Sequence, residues 1–255
     1  MAGLLRASDP DPLLVVNPGG TSPLLLTADH AGQAIPAALG DLGVTAVERA
    51  RHIGWDIGIW GVTQRLARLL DARAIGQAYS RLVIDCNRHP DWAGSVPVIS
   101  ESTEIPGNIG ITQMDRTARA TEIFQPYHTR LAAELDQRRP GALIAMHSMT
   151  DSYKGVARPW PASVLFNRHA TLGLYMADLL RAEGIRVGEN EPYIVNDTTD
   201  YSVPVHAERR GLPYLELEIR QDLIADEAGQ IAWAARLARV LPMMWARFTG
   251  SEPVA

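Results

Sequence analysis

Several features that mark common protein classes are missing from this chain. It has a single cysteine, Cys86, among 255 residues, which excludes an intramolecular disulfide framework and a cysteine-rich zinc knuckle. No stretch approaches the roughly 20 apolar residues that a membrane helix needs. The apolar start of the chain is interrupted by DPDP at 9–12, which is not typical of an export signal. We therefore predict a cytoplasmic protein that does not enter a membrane.

The chain also lacks a basic block and the best-known catalytic motifs. Its 24 Lys and Arg stand against 29 Asp and Glu, a net charge of −5 that argues against nucleic acid as the main partner. The serine elbow G-x-S-x-G, the phosphate loops G-x-x-x-x-G-K-[ST] and G-x-G-x-x-G, and the zinc motif H-E-x-x-H are absent. With 46% hydrophobic and 21% charged residues, the composition is that of a folded globular protein.

Short apolar runs alternate with helical patterns along the whole chain. The runs predict strands at 24–28, 82–86, 142–148, 162–167 and 213–220, and the segment 73–90 reads as one long strand or two. Spacings of three and four predict helices at 56–70, 112–139, 170–183, 203–211 and 221–248. Residues 1–22, 91–111 and 185–202 are predicted to be irregular. The alternation predicts an α/β fold, a three-layer α/β/α arrangement around a mainly parallel mixed sheet, in one domain over 1–255.

Polar residues stand where the predicted strands end. Ligands of open α/β sheets bind at the carboxyl ends of the strands, so these side chains are expected to share one rim. They are His30 after 24–28, Asn87 and Arg88 after 82–86, His147 in 142–148, and Glu218 in 213–220.

The residues at this rim favour a metal site. Neutral imidazoles and a carboxylate are the ligands of catalytic zinc, which keeps one position open for water. His30 and His147 supply the imidazoles, and Asp56, directly after Gly54-Trp55, is the first choice for the carboxylate. A cap at the start of the helix that follows is the alternative role for Asp56.

Two carboxylates on one predicted strand are candidates for proton transfer. Glu216 and Glu218 share a face, because side chains alternate with period two along a strand. Buried carboxylates are costly unless they are paired or used in chemistry. Pairing with Arg220 or Arg81 is the alternative to a catalytic role.

Three neighbouring residues could hold an acidic substrate. Arg81, Asn87 and Arg88 offer forked donors that suit a carboxylate, and ordinary salt bridges to Asp85 or Glu216 are the alternative. His206, after the polar loop NDTTDYSVP, is a further candidate for substrate contact, with a structural role as its alternative.

These residues lie in segments that resemble the N-formylglutamate amidohydrolase family. The matching segments occur in the same order as in the family and span the chain from about residue 23 to 245. The resemblance implies hydrolysis of the formyl amide of glutamate, and a core similar to the zinc carboxypeptidases and the acyl-aspartate and succinylglutamate deacylases. The matching segments are TADHAGQAIP (27–36), GWDIG (54–58), SRLVIDCNR (80–88), AMHSMT (145–150), NEPY (190–193) and LEIRQD (217–222).

The resemblance also implies roles for individual residues. The related deacylases dock the substrate carboxylate on an Asn-Arg pair, which corresponds to Asn87 and Arg88. Their proton-shuttling glutamate stands on a late strand just before an arginine, which favours Glu218 over Glu216. They also carry a metal-binding glutamate three residues after the first histidine, where this chain has Gln33.

The main hypothesis is a metal-dependent amidohydrolase that cleaves a small N-acyl amino acid, with N-formyl-L-glutamate as the leading substrate. One divalent ion, with zinc preferred, would sit on three ligands, and Glu218 would move the proton. The alternatives are a deacylase for another acyl group and a binder of acidic small molecules without turnover.

Overall fold

A seven-stranded mixed sheet forms the centre of the computed structural model, which describes residues 3–251. In chain order the strands are β1 (Leu13–Val16), β2 (Leu24–Ala28), β3 (Arg73–Gln77), β4 (Ile99–Ser100), β5 (Thr103–Glu104), β6 (Ala142–Met149), β7 (Ser152–Tyr153), β8 (Val156–Ala157), β9 (Ala162–Leu165), β10 (Val187–Glu189) and β11 (Tyr214–Arg220). The sheet order is β1-β3-β2-β6-β11-β9-β10, and the hairpins β4–β5 and β7–β8 stand apart from it. The pairs β1/β3 and β11/β9 are antiparallel and the other neighbours are parallel.

Helices flank the sheet. They are α1 (Ala46–Arg49), α2 (Ile59–Leu69), α3 (Gln113–Arg119), α4 (Gln125–Arg138), α5 (Thr171–Ala182) and α6 (Glu227–Thr249). A π-helical turn, Ala120–Phe124, joins α3 to α4, and a second one spans Val203–Ala207. Single 3₁₀ turns lie at Ala37–Leu39, Ala93–Ser95, Pro106–Asn108, Glu208–Arg210 and Gln221–Leu223. In the part of the chain that the structure describes, none of the helices has the length and apolar character to cross a membrane.

The sheet separates two apolar cores. Leu24 and Leu26 of β2 belong to the core that also contains residues of α2, α5 and α6, whereas Leu25 between them belongs to the core on the opposite face, which contains residues of α4. This is the alternation that a strand buried on both faces requires. The predicted α/β fold with a mainly parallel mixed sheet is confirmed.

Several segments differ from the sequence prediction, among them 91–111, which was predicted to be irregular but contains the β4–β5 hairpin. Residues 82–86 form buried turns rather than a strand, because an apolar run indicates burial without specifying an extended backbone. Strand β1 lies inside the segment 1–22 that was predicted to be irregular, since its pairing with β3 outweighs the surrounding Pro and Asp residues. Strand β10 likewise forms within 185–202, where it pairs with β9.

Two local features position the side chains discussed below. The parallel register of β6 and β11 pairs His147 with Glu218, which places both on the α4 face of the sheet. Gly58 precedes α2 with φ of +78°, and a Cβ there would lie 1.9 Å from the carbonyl oxygen of Ile224. This left-handed turn, which favours glycine, lets the chain pass from Asp56 into α2 against the end of the sheet.

Candidate active site

A cavity of about 1020 Å³ opens at the carboxyl ends of β2, β6 and β11. The residues predicted for the site meet here, with the exception of His206. Those that line the cavity are His30, Asp56, Arg81, Asn87, Arg88, His147 and Glu218.

His30, Asp56 and His147 form a buried cluster at the floor of this cavity. Their ligand atoms lie within 4.8 Å of one another, and each residue is at most 4% exposed. Asp56 stands between the two rings: its Oδ2 is 3.0 Å from Nδ1 of His147, and its Oδ1 is 3.5 Å from Nδ1 of His30. The ring centroids are 5.2 Å apart. The cluster predicted from the sequence is therefore assembled by the fold.

Asp56 is held in place as a member of the cluster and does not cap a helix. Its Oδ2 also accepts a hydrogen bond from the backbone N–H of Ser148 at 3.1 Å, whereas α2 begins later with Gly58 as its N-cap. Gln33 is exposed to solvent, so it does not take part in the cluster. The carboxylate at this site comes from Asp56 and not from the position three residues after His30.

Two further carboxylates support the imidazoles from behind. Nε2 of His30 is hydrogen-bonded to Oδ1 of Asp85 at 2.7 Å, and Nε2 of His147 lies 3.6 Å from Oδ2 of Asp29. Asp29 in turn accepts hydrogen bonds from Tyr127 and Ser202 at 2.6 and 2.8 Å. Carboxylates in this position orient the histidine ligands of metal sites and fix their tautomers.

Sequence reasoning missed the supporting role of Asp29 and Asp85. Asp29 directly precedes His30, and Asp85 stands two residues before Asn87, but neither spacing identifies a partner for a ring nitrogen. Only the fold brings each of them to a particular imidazole.

The carboxylates around the two imidazoles favour positive charge at the cluster, as the pKa values of the histidines show. Burial lowers the pKa of His147, but the carboxylates of Asp29 and Asp56 outweigh burial and hold that pKa well above its ordinary value. Burial and Arg81 lower the pKa of His30, but Asp85 and Asp56 leave it raised. The pKa of Asp56 falls well below its usual range, because the two histidines outweigh its burial.

The residues present fit a divalent metal ion. Nδ1 of His30 and Nδ1 of His147 both face the Asp56 carboxylate, and Nδ1 of His30 is buried without a hydrogen-bond partner among residues 3–251. Two imidazoles and one carboxylate form the donor set of a catalytic zinc site, and an ion can replace the protons that the carboxylates otherwise hold on the rings.

Glu218 and Glu216 enter the cavity from β11 without a cationic partner in the described residues. Burial raises the pKa of Glu218 to about 7, although His147 opposes the shift. Burial, with Asp200 and Glu218, raises the pKa of Glu216 to about 8 against the charge of His147. Oε2 of Glu218 has no hydrogen-bond partner in the described part of the chain. Arg220, considered as a partner from the sequence, binds Asp222 instead.

The predicted substrate arginines are already engaged with carboxylates. Nη2 of Arg81 lies 2.7 Å from Oδ2 of Asp85, and Nε of Arg88 lies 3.4 Å from the same oxygen. Nη1 of Arg81 also approaches Asp56 at 3.6 Å. Oδ1 of Asn87 accepts hydrogen bonds from the backbone N–H groups of Tyr201 and Ser202, and its Nδ2 donates to Oδ1 of Asp200 at 3.5 Å. These side chains line the cavity, but Asp85 shares the charge of both arginines.

His206 lies outside the cavity wall, and the structure does not bring it to the predicted substrate contact. Its ring stacks on His128 at a centroid distance of 5.1 Å, and Nε2 of His206 lies 2.9 Å from Nδ1 of His128. Nε2 of His128 donates to the carbonyl oxygen of Cys86 at 2.8 Å, so its Nδ1 accepts the proton of His206 when both rings are neutral. Burial lowers the pKa of His128 to about 4 and that of His206 to about 3.

This histidine pair predicts a contribution to acid sensitivity. Unfolded histidines bind protons below a pH of about 6.5, whereas folded His128 resists protonation until about pH 4, so its burial lowers the free energy of unfolding as the pH falls through that window. Each such histidine contributes a slope of at most about 1.4 kcal/mol per pH unit. We expect His128→Gln, whose amide can replace both hydrogen bonds, to flatten the pH dependence by about that slope, as measured by urea unfolding between pH 6.5 and 4.5. An unchanged slope would show that the pair does not resist protonation.

Comparison with known proteins places these features in a family context. The family model described as N-formylglutamate amidohydrolase matches residues 22–225. A curated N-formylglutamate deformylase from Pseudomonas putida is 33% identical over 132 residues, an alignment that covers 47% of this chain and 48% of that protein. The chain therefore matches about half the length of this relative.

Two solved structures share the fold over most of the chain. A gene product from Agrobacterium tumefaciens is 30% identical, with a TM-score of 0.92 over 96% of this chain and 99% of that one. An N-formylglutamate amidohydrolase from Ralstonia eutropha is 20% identical, with a TM-score of 0.68 over 94% of this chain and 99% of that one. At this lower identity the second likeness supports the fold alone.

Proposed function

The chain belongs to the N-formylglutamate amidohydrolase family, and we propose that it hydrolyses the formyl amide of N-formyl-L-glutamate to formate and L-glutamate. The observation that carries this proposal is the buried His30–Asp56–His147 cluster with Glu218 paired to His147 across neighbouring strands. Binding alone needs neither a buried metal-type donor set nor an unpaired carboxylate beside it.

His30, Asp56 and His147 would hold one divalent ion, with zinc preferred for this donor set. When bound, such an ion would polarise the formyl carbonyl and make water more acidic. Asp85 and Asp29 keep the two imidazoles oriented, because each faces the ring nitrogen that points away from Asp56.

Glu218 moves the proton in this proposal. Its carboxylate takes a proton from water as the water oxygen adds to the formyl carbon, and it returns that proton to the nitrogen as the C–N bond breaks. A carboxyl group with a pKa of about 7 suits both transfers near neutral pH. Formate and the free amino group of glutamate are the products.

Asn87, Arg88 and Arg81 would hold a carboxylate of the substrate. Arg81 and Arg88 both pair with the carboxylate of Asp85, which holds their guanidinium groups in fixed positions at the cavity wall. A preset orientation lowers the entropic cost of gripping a small ligand.

Removal of the metal is expected to abolish hydrolysis. Protein treated with a chelator and desalted should lose formate release from N-formylglutamate and regain it with one equivalent of zinc per chain. The melting temperature should rise on reloading, because an ion that binds only the folded state stabilises it. Full activity without metal would contradict the metal-dependent reaction, and metal-free stabilisation by glutamate without any turnover would favour the non-catalytic binder.

The size of the cavity favours a second candidate substrate. About 1020 Å³ lies at the upper end of the range for small-molecule sites, so an acyl group larger than formyl has room. Parallel assays of N-formyl-, N-acetyl- and N-succinylglutamate would rank the acyl groups by kcat/KM. If a larger acyl group gave the highest kcat/KM, the N-acyl amino acid that carries it would replace N-formylglutamate as the proposed substrate.

A further inference from the structure

Arg158 enters the cavity from the segment that follows the β7–β8 hairpin. Its side chain is buried, with the residue only 6% exposed, yet it lines the cavity. The guanidinium carbon lies 4.7 Å from the ring centre of Tyr193 and 5.4 Å from that of Tyr153. Its Nη1 also donates to the carbonyl oxygen of Thr150 at 3.4 Å. These contacts fix the orientation of the guanidinium group within the cavity wall.

The charge of Arg158 is not neutralised by the protein. Arg81 and Arg88 share the Asp85 carboxylate, whereas Arg158 has no carboxylate oxygen within 4.0 Å in the described ranges of the chain. A buried cation is costly unless an anion accompanies it. The aromatic faces of Tyr193 and Tyr153 compensate only in part, since cation–π contacts are weaker than charge pairing.

Arg158 lines the same cavity as Glu218 and the His30–Asp56–His147 cluster. An anionic group that met Arg158 would therefore lie inside the proposed active site. The aromatic walls beside it suit the methylene groups of an amino-acid side chain.

We propose that Arg158 receives the side-chain carboxylate of the substrate and makes the site selective for N-acyl derivatives of acidic amino acids. This inference rests on the proposed function and adds the residue that recognises the side chain. In that function Asn87, Arg88 and Arg81 hold one carboxylate of the substrate, so a dicarboxylate leaves its second charge for Arg158. An uncharged side chain would leave Arg158 buried without an anion, which disfavours binding.

The test compares N-formylglutamate with N-formylglutamine, which is nearly the same size but carries no side-chain charge. We expect the unmodified enzyme to prefer the glutamate substrate, and Arg158→Gln to lower its kcat/KM about 10- to 100-fold, mainly through KM. The value for the glutamine substrate should change by less than about threefold. Arg158→Lys should recover part of the preference, because it restores the charge without the planar fork.

Lys154→Gln is the matched control, because it removes one positive charge from an exposed position at the mouth of the same cavity. It should leave the preference between the two substrates intact. Equal losses on both substrates in Arg158→Gln, in a variant whose melting curve is unchanged, would overturn the role in side-chain recognition.

A binding measurement separates this proposal from the proposed function. Calorimetry with L-glutamate and L-glutamine on the zinc-loaded protein requires no turnover. Preferential binding of glutamate that disappears in Arg158→Gln would support the recognition role even if N-formylglutamate were not hydrolysed. Binding of both ligands with equal affinity by the unmodified protein would overturn it.

Discussion

Glu218→Gln is expected to lower kcat for hydrolysis of N-formylglutamate by about 10²- to 10⁴-fold, the usual contribution of a positioned acid–base group. Glutamine has nearly the same shape, so substrate binding should persist and KM should change little. The amide cannot accept a proton from water or return one to the leaving nitrogen. Single-turnover formate release at pH 7 measures the effect.

The same substitution should not impair folding. Glu218 is buried with one carboxylate oxygen lacking any hydrogen-bond partner among residues 3–251, and burial raises its pKa to about 7. Replacing a group that is costly to ionise with a neutral amide should leave the melting temperature at pH 8 unchanged or higher. A large loss of activity with a retained melting temperature would separate chemistry from stability.

Glu216→Gln is the matched control for the assignment of the proton carrier. It stands on the same face of β11 with similar burial, but its partner across the strands is Ala145, whereas Glu218 is paired with His147. We expect the Glu216 variant to retain activity within about tenfold. Glu216 lies two residues before Glu218, so it is farther from the carboxyl end of the strand, where the cluster lies. If Glu216→Gln were the more damaging of the two, the roles of these residues would be exchanged.

Removing an imidazole from the cluster is expected to have the second large effect. His147→Ala should abolish zinc binding at stoichiometric concentrations and reduce formate release to the background rate. The substitution removes one of three ligands and leaves the buried carboxylates of Asp56 and Asp29 facing each other without the ring between them. Metal content after gel filtration measures the first effect directly.

Two further variants test this prediction, one with a smaller expected effect on zinc binding and one with none. Asp85→Asn keeps all three ligands but alters the partner of His30, so zinc affinity should fall about 10- to 100-fold rather than vanish. His128→Gln replaces a buried histidine outside the cluster and should bind one zinc per chain. If His147→Ala bound as much zinc as the unmodified protein, the metal would be held at another place than this cluster.

The elements that sequence pattern predicted well are those whose signal is local. The long pattern at 112–139 became α3, a π-helical turn and α4 in one continuous helix, and the run at 142–148 became β6. The segment 82–86 failed because its apolar residues are buried in turns, and hydrophobicity alone does not distinguish a buried turn from a buried strand.

For the candidate site, too, the sequence predicted the residues with a local signal and missed those without one. His30 and His147 were predicted because polar residues at the ends of apolar runs meet at one rim of an α/β sheet, and the structure brings them together with Asp56. His206 met the same criterion of residue type but pairs with His128 behind the cavity. Arg158 stood in a short hairpin region with no periodic signal, so nothing local marked it as a cavity residue.

By itself the sequence determined the fold class and the strands β2, β6 and β11, which position His30, His147 and Glu218, because hydrophobic period and residue type are properties of neighbouring positions. The tertiary structure decided the pairings: which carboxylate faces each imidazole, that Asp85 shares the charge of Arg81 and Arg88, and that Arg158 has no such partner in the described chain. These depend on contacts between residues far apart along the chain. Charge compensation and burial arise only when the folded chain brings such groups together.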